Sequence, residues 1–374
     1  VGNHWVRGTC QYGVMPANGL LYAPPHTCAC FIRAKLKGFN ALAPKRDWLS
    51  NDGIQEQQRE LVRGPAYDEP LDDEAEGWPT YRHDRGRSGS AGSTLPDTVE
   101  TVWSAAPGED LTPPVMADGT LFAASKDDYT LHALAADSGE EVWAYTAAAE
   151  IDSPPTIHRG RVIFGCADGR VYCLDADDGR LAWTFRAAPR ARWVVDRDRL
   201  ESTWPVHGSV LVRDGVAYFA AGRSSYLDGG IFLYGLDPRT GEELFRRRIC
   251  SRDPRTGLEP ENKVHGVKMP GALPDILLSK GDSIFMRHKR FSLDGKERKQ
   301  NVPHLMSSVG FLDYTWWHRT YWMIGTRMGT GWGGWVNMGQ RVPAGRLLVL
   351  KDDRIYGFGR NKYDHRGFYV GLGE

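Results

Sequence analysis

Several features that would settle a protein's class at once are missing from this 374-residue chain. No apolar run approaches the ~20 residues a membrane-spanning helix needs, so no segment qualifies as one. Charge of one sign is missing too. Lysine plus arginine and aspartate plus glutamate number 47 each, and no global field favours nucleic acid or an anionic membrane. Helical periodicity is scarce, with "NDGIQEQQRELV" the best short candidate. The 6 cysteines are too few for a disulfide-held miniprotein, and no two are adjacent. Common catalytic templates are lacking: there is no G-x-S-x-G elbow, no H-E-x-x-H and no phosphate loop ending in Lys-Ser/Thr. "GTGWGGW" from Gly329 is glycine-rich, but it has neither the preceding strand nor the following helix of a dinucleotide fingerprint. The chain opens on Val1 without a basic start or apolar signal core, and "GFYVGLGE" ends inside what reads as a strand. A processed fragment of a longer protein is therefore expected.

What is present is glycine and aromatic: 43 glycines, 13 tryptophans and 15 tyrosines, the composition of short strands joined by tight turns. Self-similarity then defines the fold. "LTPPVMADGTLFAASKDDYTLHALAADSGEEVWAY" from Leu111 and "IDSPPTIHRGRVIFGCADGRVYCLDADDGRLAWTF" from Ile151 align with offsets of 40 or 41 residues. The alignment superposes Gly119 on Gly160, Gly139 on Gly179 and Trp143 on Trp183. A third copy beginning "VHGSVLVRDG" carries Gly215, Gly241 and Phe245 in the matching places. Four short antiparallel strands in ~40 residues make a propeller blade. Weaker copies of the first hairpin occur near Gly13, Asp275 and Arg346, and "LMSSVGFL" with "RTYWMIGT" forms a further candidate. From Asp52 to Glu76 nine acidic residues face two arginines, the composition of a solvated linker or excursion. The expected organisation is a hairpin or blade portion over 1–44, a linker or excursion over 45–76, and the propeller over 77–374 with a truncated last blade.

The Asp175-x-x-x-Gly179-x-x-x-Trp183 turn, repeated as Asp237-x-x-x-Gly241-x-x-x-Phe245, resembles the tryptophan-docking repeat of quinoprotein-like (PQQ-repeat) β-propellers. "GWPTYRHDRGRSG" from Gly77, "NHWVRGTCQYGVMPANGLLYAPPHTCAC" and "WWHRTYW" are similar to segments of large exported planctomycete-type members of that group. The resemblance implies an all-β fold of four-stranded blades, like that of quinoprotein alcohol dehydrogenases, in a fragment of an eight-bladed or double propeller. It also implies an exported, periplasmic or cell-envelope location. Members range from pyrroloquinoline-quinone (PQQ) dehydrogenases to cofactor-free assembly lipoproteins, so fold does not select function. The dehydrogenases carry two adjacent cysteines over the cofactor, whereas Cys28-Ala29-Cys30 has the wrong spacing. No position is assignable to their metal ligands or catalytic aspartate, and Asp118, Asp168 and Asp214 sit in turns. The expectation is a non-catalytic ligand- or protein-binding scaffold, with a PQQ- and metal-dependent oxidoreductase of alcohols or sugars as the alternative.

Candidate binding residues come from the hairpin alignment. Four residues beyond Tyr22, Phe122, Ile163, Tyr218, Phe285 and Tyr356 stand His26, Lys126, Ala167, Gly222 (followed by Arg223), Lys289 and Arg360. Strands of equal length bring these positions to one face, where a cationic ring would attract an anionic small molecule, an acidic glycan or an acidic protein. Charged, solvated loop tips are the plainer reading. His207 in "WPVHGS" is expected to start an inner strand and face the channel. In "YTWWHRTYW", Trp317 and His318 with Arg319 could stack on a sugar or planar cofactor, although packing between blades also consumes aromatics. Finally, a hairpin turning at Ala17-Asn18-Gly19 brings Cys10 opposite residues 25 to 27, beside His26, Cys28 and Cys30. That Cys₃His set suits structural Zn²⁺. A disulfide from Cys10 to Cys28 or Cys30, or free thiols, are the other readings.

Overall fold

A computed structural model describes residues 5–6, 8, 13–24, 31–36, 38–44, 60–94, 96–196, 198–253, 255–256, 270–307, 310–312, 322–328 and 342–359. Among the described residues there is no helix, and every strand pairing is antiparallel. The repeats are blades of a β-propeller. The first blade comprises Val115–Ala117, Thr120–Ser125, Thr130–Ala135 and Glu141–Thr146. The second comprises Thr156–His158, Arg161–Gly165, Arg170–Asp175 and Leu181–Arg186. The third is Leu211–Arg213, Val216–Ala221, Ile231–Leu236 and Glu243–Ile249, and the fourth is Leu278–Lys280, Ser283–Met286, Lys289–Ser292 and Glu297–Arg298. Three strands follow (His304–Ser307, Trp322–Gly325 and Ala344–Gly345), then a last hairpin of Leu347–Lys351 and Arg354–Phe358.

Apolar residues on both faces of each sheet are buried against the neighbouring blades, so the cores lie between blades rather than within one. Phe122, Leu131 and Trp143 meet Val162, Phe164 and Leu174, and on the other side Ile163, Val171 and Trp183 meet Phe219, Phe232 and Tyr234. Burial of each such side chain contributes roughly 1.5–3 kcal/mol. Cross-strand partners repeat the same aromatic pair, Phe164 on Tyr172 at 5.3 Å and Phe219 on Tyr234 at 5.2 Å.

A second periodic contact fixes blade to blade. The ring of Trp143 lies against Gly179 of the next blade's last turn, and its Nε1 donates to the Ala176 carbonyl at 2.9 Å. Trp183 repeats this on Gly241 and the Pro238 carbonyl at 3.1 Å, and Trp103 does so on Gly139 and Ala136 at 2.9 Å. Phe245 covers Gly295 without a donor. Only glycine serves here: Gly179 and Gly241 have φ of 72° and 71°, and a Cβ on either would lie 2.7 Å from the facing indole.

Residues from Glu60 to Glu74, in the segment expected to be a linker or excursion, run along the second blade, and Glu76 reaches Asp118 of the first. Leu61–Arg63 pairs with Trp183–Phe185 as a fifth strand, Ala66 is buried, and Arg161 donates to the Glu69 carbonyl. Leu61 and Val62, the end of the stretch with helical periodicity, are therefore strand. Residues 51–59 of that stretch lie outside the described residues.

The following segment, Gly77 to Ser90, crosses the ends of the inner strands. Gly77 and Trp78 pair with Ala117 and Met116, and the Pro79 carbonyl accepts from Ile157 N at 2.7 Å. The Arg85 carbonyl accepts from Ser279 N at 2.7 Å, and Ser88 accepts from Leu350 N at 2.9 Å. Arg87, fully buried, donates to Leu277 O, Thr80 Oγ1 and Tyr81 O at 3.0, 2.7 and 3.0 Å. Arg82 donates to the Leu348 carbonyl and lies 4.3 Å over Trp322. One segment thus ties the first blade to the last hairpin.

The sheet of Met15–Ala17, Leu20–Ala23 and Asn40–Leu42 forms a small N-terminal unit whose turn falls at Asn18-Gly19. It docks on the propeller through Trp5, Phe31 and Ala34 around Tyr226, with Trp5 stacked on Tyr226 at 6.5 Å.

Candidate functional site

Lys126 and Arg223 lie just beyond the ends of their second strands, at one rim, whereas Lys289 stands across a tight turn as the first residue of the fourth blade's third strand, and each is bound to a carboxylate. Lys126, buried, reaches Asp110 at 3.1 Å; Arg223 donates to Asp228 at 2.7 Å; Lys289 donates to Glu297 at 2.6 Å. The carboxylates neutralise the field that three bare cations would focus. The expected partners of this ring, His26 and Arg360, lie outside the described residues, as do Trp317, His318, Cys10, Cys28 and Cys30.

His207 lies in the loop before the inner strand Leu211–Arg213, four residues short of the strand start expected for it. Its Nδ1 is 2.6 Å from Asp152, whose other oxygen accepts from Gly208 N at 3.1 Å, while Nε2 is 3.7 Å from Glu201. Burial opposes ionisation of Asp152. The His207 charge, with hydrogen bonds from His207, Gly208 and Ser153, outweighs it and holds the carboxyl below its ordinary range. A histidine oriented by a carboxylate is half of a catalytic base arrangement. The neighbouring hydroxyls are engaged otherwise: Ser209 donates to Pro154 O at 2.7 Å, and Ser202 accepts from Trp204 N at 3.1 Å. Here the pair cross-links two loops. Among the described residues, no three His, Cys, Asp or Glu side chains are arranged to hold a metal ion.

Sequence reading missed a hairpin at this rim, Trp193–Asp196 paired with Arg199–Ser202. Its base is clamped. Arg199 donates to Lys126 O at 3.0 Å and pairs with Glu150 at 3.1 Å and with Asp127, while Arg192 pairs with Asp228 at 3.2 Å. Val195 lies directly opposite Leu200, and Trp193, two residues along, shares their face. These three are 72%, 61% and 49% exposed, an apolar face turned to solvent on a rigid stem. The alternation in "WVVDRDRLES" is the signal that could have found it.

The sequence profile of a family described as "Outer membrane protein assembly factor BamB" matches residues 87–265. The match covers just under half of the chain, and its repeats resemble those of PQQ-repeat β-propellers. Outer membrane protein assembly factor BamB of Burkholderia pseudomallei is 35% identical over 101 residues, covering 27% of this chain and 26% of that protein. The dehydrogenase subunit of the quinone alcohol dehydrogenase of Gluconobacter oxydans is 27% identical over 178 residues, covering 45% of this chain and 21% of that protein. The matches thus span about a quarter of these relatives' length. Among solved structures, BamB from Moraxella catarrhalis aligns with 17% identity and a TM-score of 0.37, over 65% of each chain. Quinohemoprotein alcohol dehydrogenase from Comamonas testosteroni aligns with 16% identity and a TM-score of 0.45, over 60% of this chain and 40% of that one.

The described residues at this rim fit a bound quinone poorly. An anionic cofactor needs uncommitted cationic or N–H donors. Lys126, Arg223 and Lys289 are held by carboxylates, and His207 by Asp152. Cys166 and Cys173 are fully buried, and burial pushes both thiols up, so they are packing groups rather than reactive ones.

Proposed function

We propose that this propeller is a non-catalytic scaffold of the bacterial cell envelope that docks a protein partner. The observation that carries the reading is the Trp193/Val195/Leu200 face, apolar, exposed and held on an ion-paired stem. Aromatic and apolar anchors on a rigid element are what protein interfaces use as hot spots. Similarity to proteins described as outer membrane protein assembly factors supports both the location and the role. Within this reading, residues 77–374 are the propeller, residues 1–44 a docked accessory unit, and Cys10, His26, Cys28 and Cys30 a structural lock.

A photo-crosslinker at Val195, with one at exposed Arg239 as control, tests this in envelope fractions of the source cells. A partner captured only from Val195, whose affinity for purified protein falls at least tenfold with Trp193→Asp, is expected. Identical capture from both positions, or affinity indifferent to Trp193→Asp, would end the reading. Similarity to quinone alcohol dehydrogenases favours a second reading, oxidation of alcohols or sugars with PQQ and a metal. Dye reduction by protein given PQQ and Ca²⁺ would establish it.

A further inference from the structure

A cleft of about 340 Å³ opens where the N-terminal unit meets the fourth blade, lined by Arg33, Gly271, His288, Lys289, Lys299 and Asn301 among others. Its size lies near the lower end of the ~300–1,000 Å³ typical of small-molecule sites. The wall is built rather than loose: Ala34 packs against Gly271 and Tyr226, which fixes the turn carrying Arg33.

Charge around the cleft is only partly matched, with exposed Lys299 unpaired among the described residues. Lys289 pairs with Glu297, Arg290 and Arg298 pair with Asp282, and Arg287 faces Asp275 at 3.9 Å. Arg33 has no carboxylate partner among the described residues, and its Nε is buried without a hydrogen bond. Burial, and then the like charges of Arg287 and Arg327, lower its guanidinium to about 10. A guanidinium stays protonated at neutral pH, so an unmatched cation faces the cleft.

Two buried acceptors belong to residues that line the same cleft. Asn301 Nδ2 donates to His288 O at 2.8 Å and Thr326 O at 3.2 Å, which fixes the amide and leaves its buried Oδ1 without a donor. His288 is only 8% exposed, and its Nδ1 has no hydrogen-bond partner. Burial first, then Arg33, Arg287 and Lys289, keep the ring neutral, while a hydrogen bond with the Gly271 backbone engages it. A simple anion would match Arg33 and leave both acceptors unsatisfied, at a cost that buried polar groups seldom bear. A ligand carrying both a carboxylate and hydroxyls satisfies all three.

We propose that this cleft binds an acidic sugar, its carboxylate on Arg33 and its hydroxyls donating to His288 Nδ1 and Asn301 Oδ1. The site is independent of the Trp193 face, and either could fail alone. Calorimetric titration of the whole protein with glucuronate, glucose and acetate tests it. Glucuronate should bind at least tenfold more tightly than either comparator and weaken with added salt. Arg33→Gln should cost at least tenfold in glucuronate affinity without lowering Tm, since it removes an unmatched charge. His288→Phe should weaken glucuronate while leaving acetate unchanged. Should Arg33→Gln fold poorly, Arg33→Lys keeps the charge, removes the fork and should still lose affinity. Equal affinity for acetate and glucuronate, no glucuronate binding, or indifference to both Arg33 variants would overturn the proposal. An oligogalacturonate arm tells a free monosaccharide from the end of a polysaccharide by which of the two binds more tightly.

Discussion

Replacing Trp183 with alanine tests the blade-to-blade lock most directly. The side chain is fully buried, lies on Gly241 and donates to the Pro238 carbonyl at 3.1 Å. Removing a buried aromatic costs about 3–5 kcal/mol, from lost transfer energy and the cavity left behind. The orphaned Pro238 carbonyl adds about 1 kcal/mol unless water enters, placing the variant near the upper end, about 4–5 kcal/mol. Trp183→Phe keeps most of the volume and loses the donor, so about 1–2 kcal/mol is expected. Gly241→Ala should also destabilise, because φ is 71° and its Cβ would lie 2.7 Å from both the Trp183 ring and Leu61. The two sites share that clash, so Trp183→Ala with Gly241→Ala should cost less than the sum. Urea unfolding read by far-ultraviolet circular dichroism supplies all four values. A Trp183→Ala loss under about 1.5 kcal/mol, or strict additivity with Gly241→Ala, would refute the lock.

Arg87→Met should cost about 2–4 kcal/mol in urea unfolding, since carbonyls of Tyr81 and Leu277 lose their donor while relief of a buried charge offsets part. His288 is neutral when folded, with its pKa depressed by burial, whereas in the unfolded chain it titrates near 6.5. Below about pH 6.5 the unfolded state binds the extra proton, so its contribution to stability is present above that value and lost on acidification towards the folded pKa. The stability difference between wild type and His288→Asn should therefore shrink as pH falls from 7 to 5, as measured by chemical denaturation at each pH. Exposed Cys250 should react with a thiol reagent in the native protein, and buried Cys166 and Cys173 only after denaturation. If Cys10, Cys28 and Cys30 form a lock, they stay protected until chelator (metal) or reductant (disulfide) is added, and immediate labelling of all three would exclude both.

What the sequence disclosed depended on the distance between partners. The glycines and tryptophans of the blade turns recur every 40 or so residues because each blade repeats one backbone geometry, and that periodicity is visible without coordinates. The positions of Lys126 and Arg223 beyond their second strands were legible for the same reason. Their neutralisation was not, because Asp110 and Asp228 stand in loops outside the repeat pattern. Leu61–Arg63 is only three residues long and was hidden by acidic neighbours. The cleft at Arg33 was illegible because it joins elements about 250 residues apart that share no motif.

The segment from Gly77 to Ser90 has a consequence in time. Its bond from Arg82 to Leu348 spans 266 residues. At the usual ~5–20 residues per second of synthesis, about 13–50 s separate the appearance of the two ends. Until the later end arrives, the Arg82 guanidinium and the Ser88 carbonyl lack their Leu348 and Leu350 partners, and the arc of blades stays untied at its last hairpin. The unfinished arc exposes strand edges that invite pairing with other chains, so whatever accompanies the nascent protein must shield it for that interval. Closure then arrives as one late event, drawing together blades that had each folded locally.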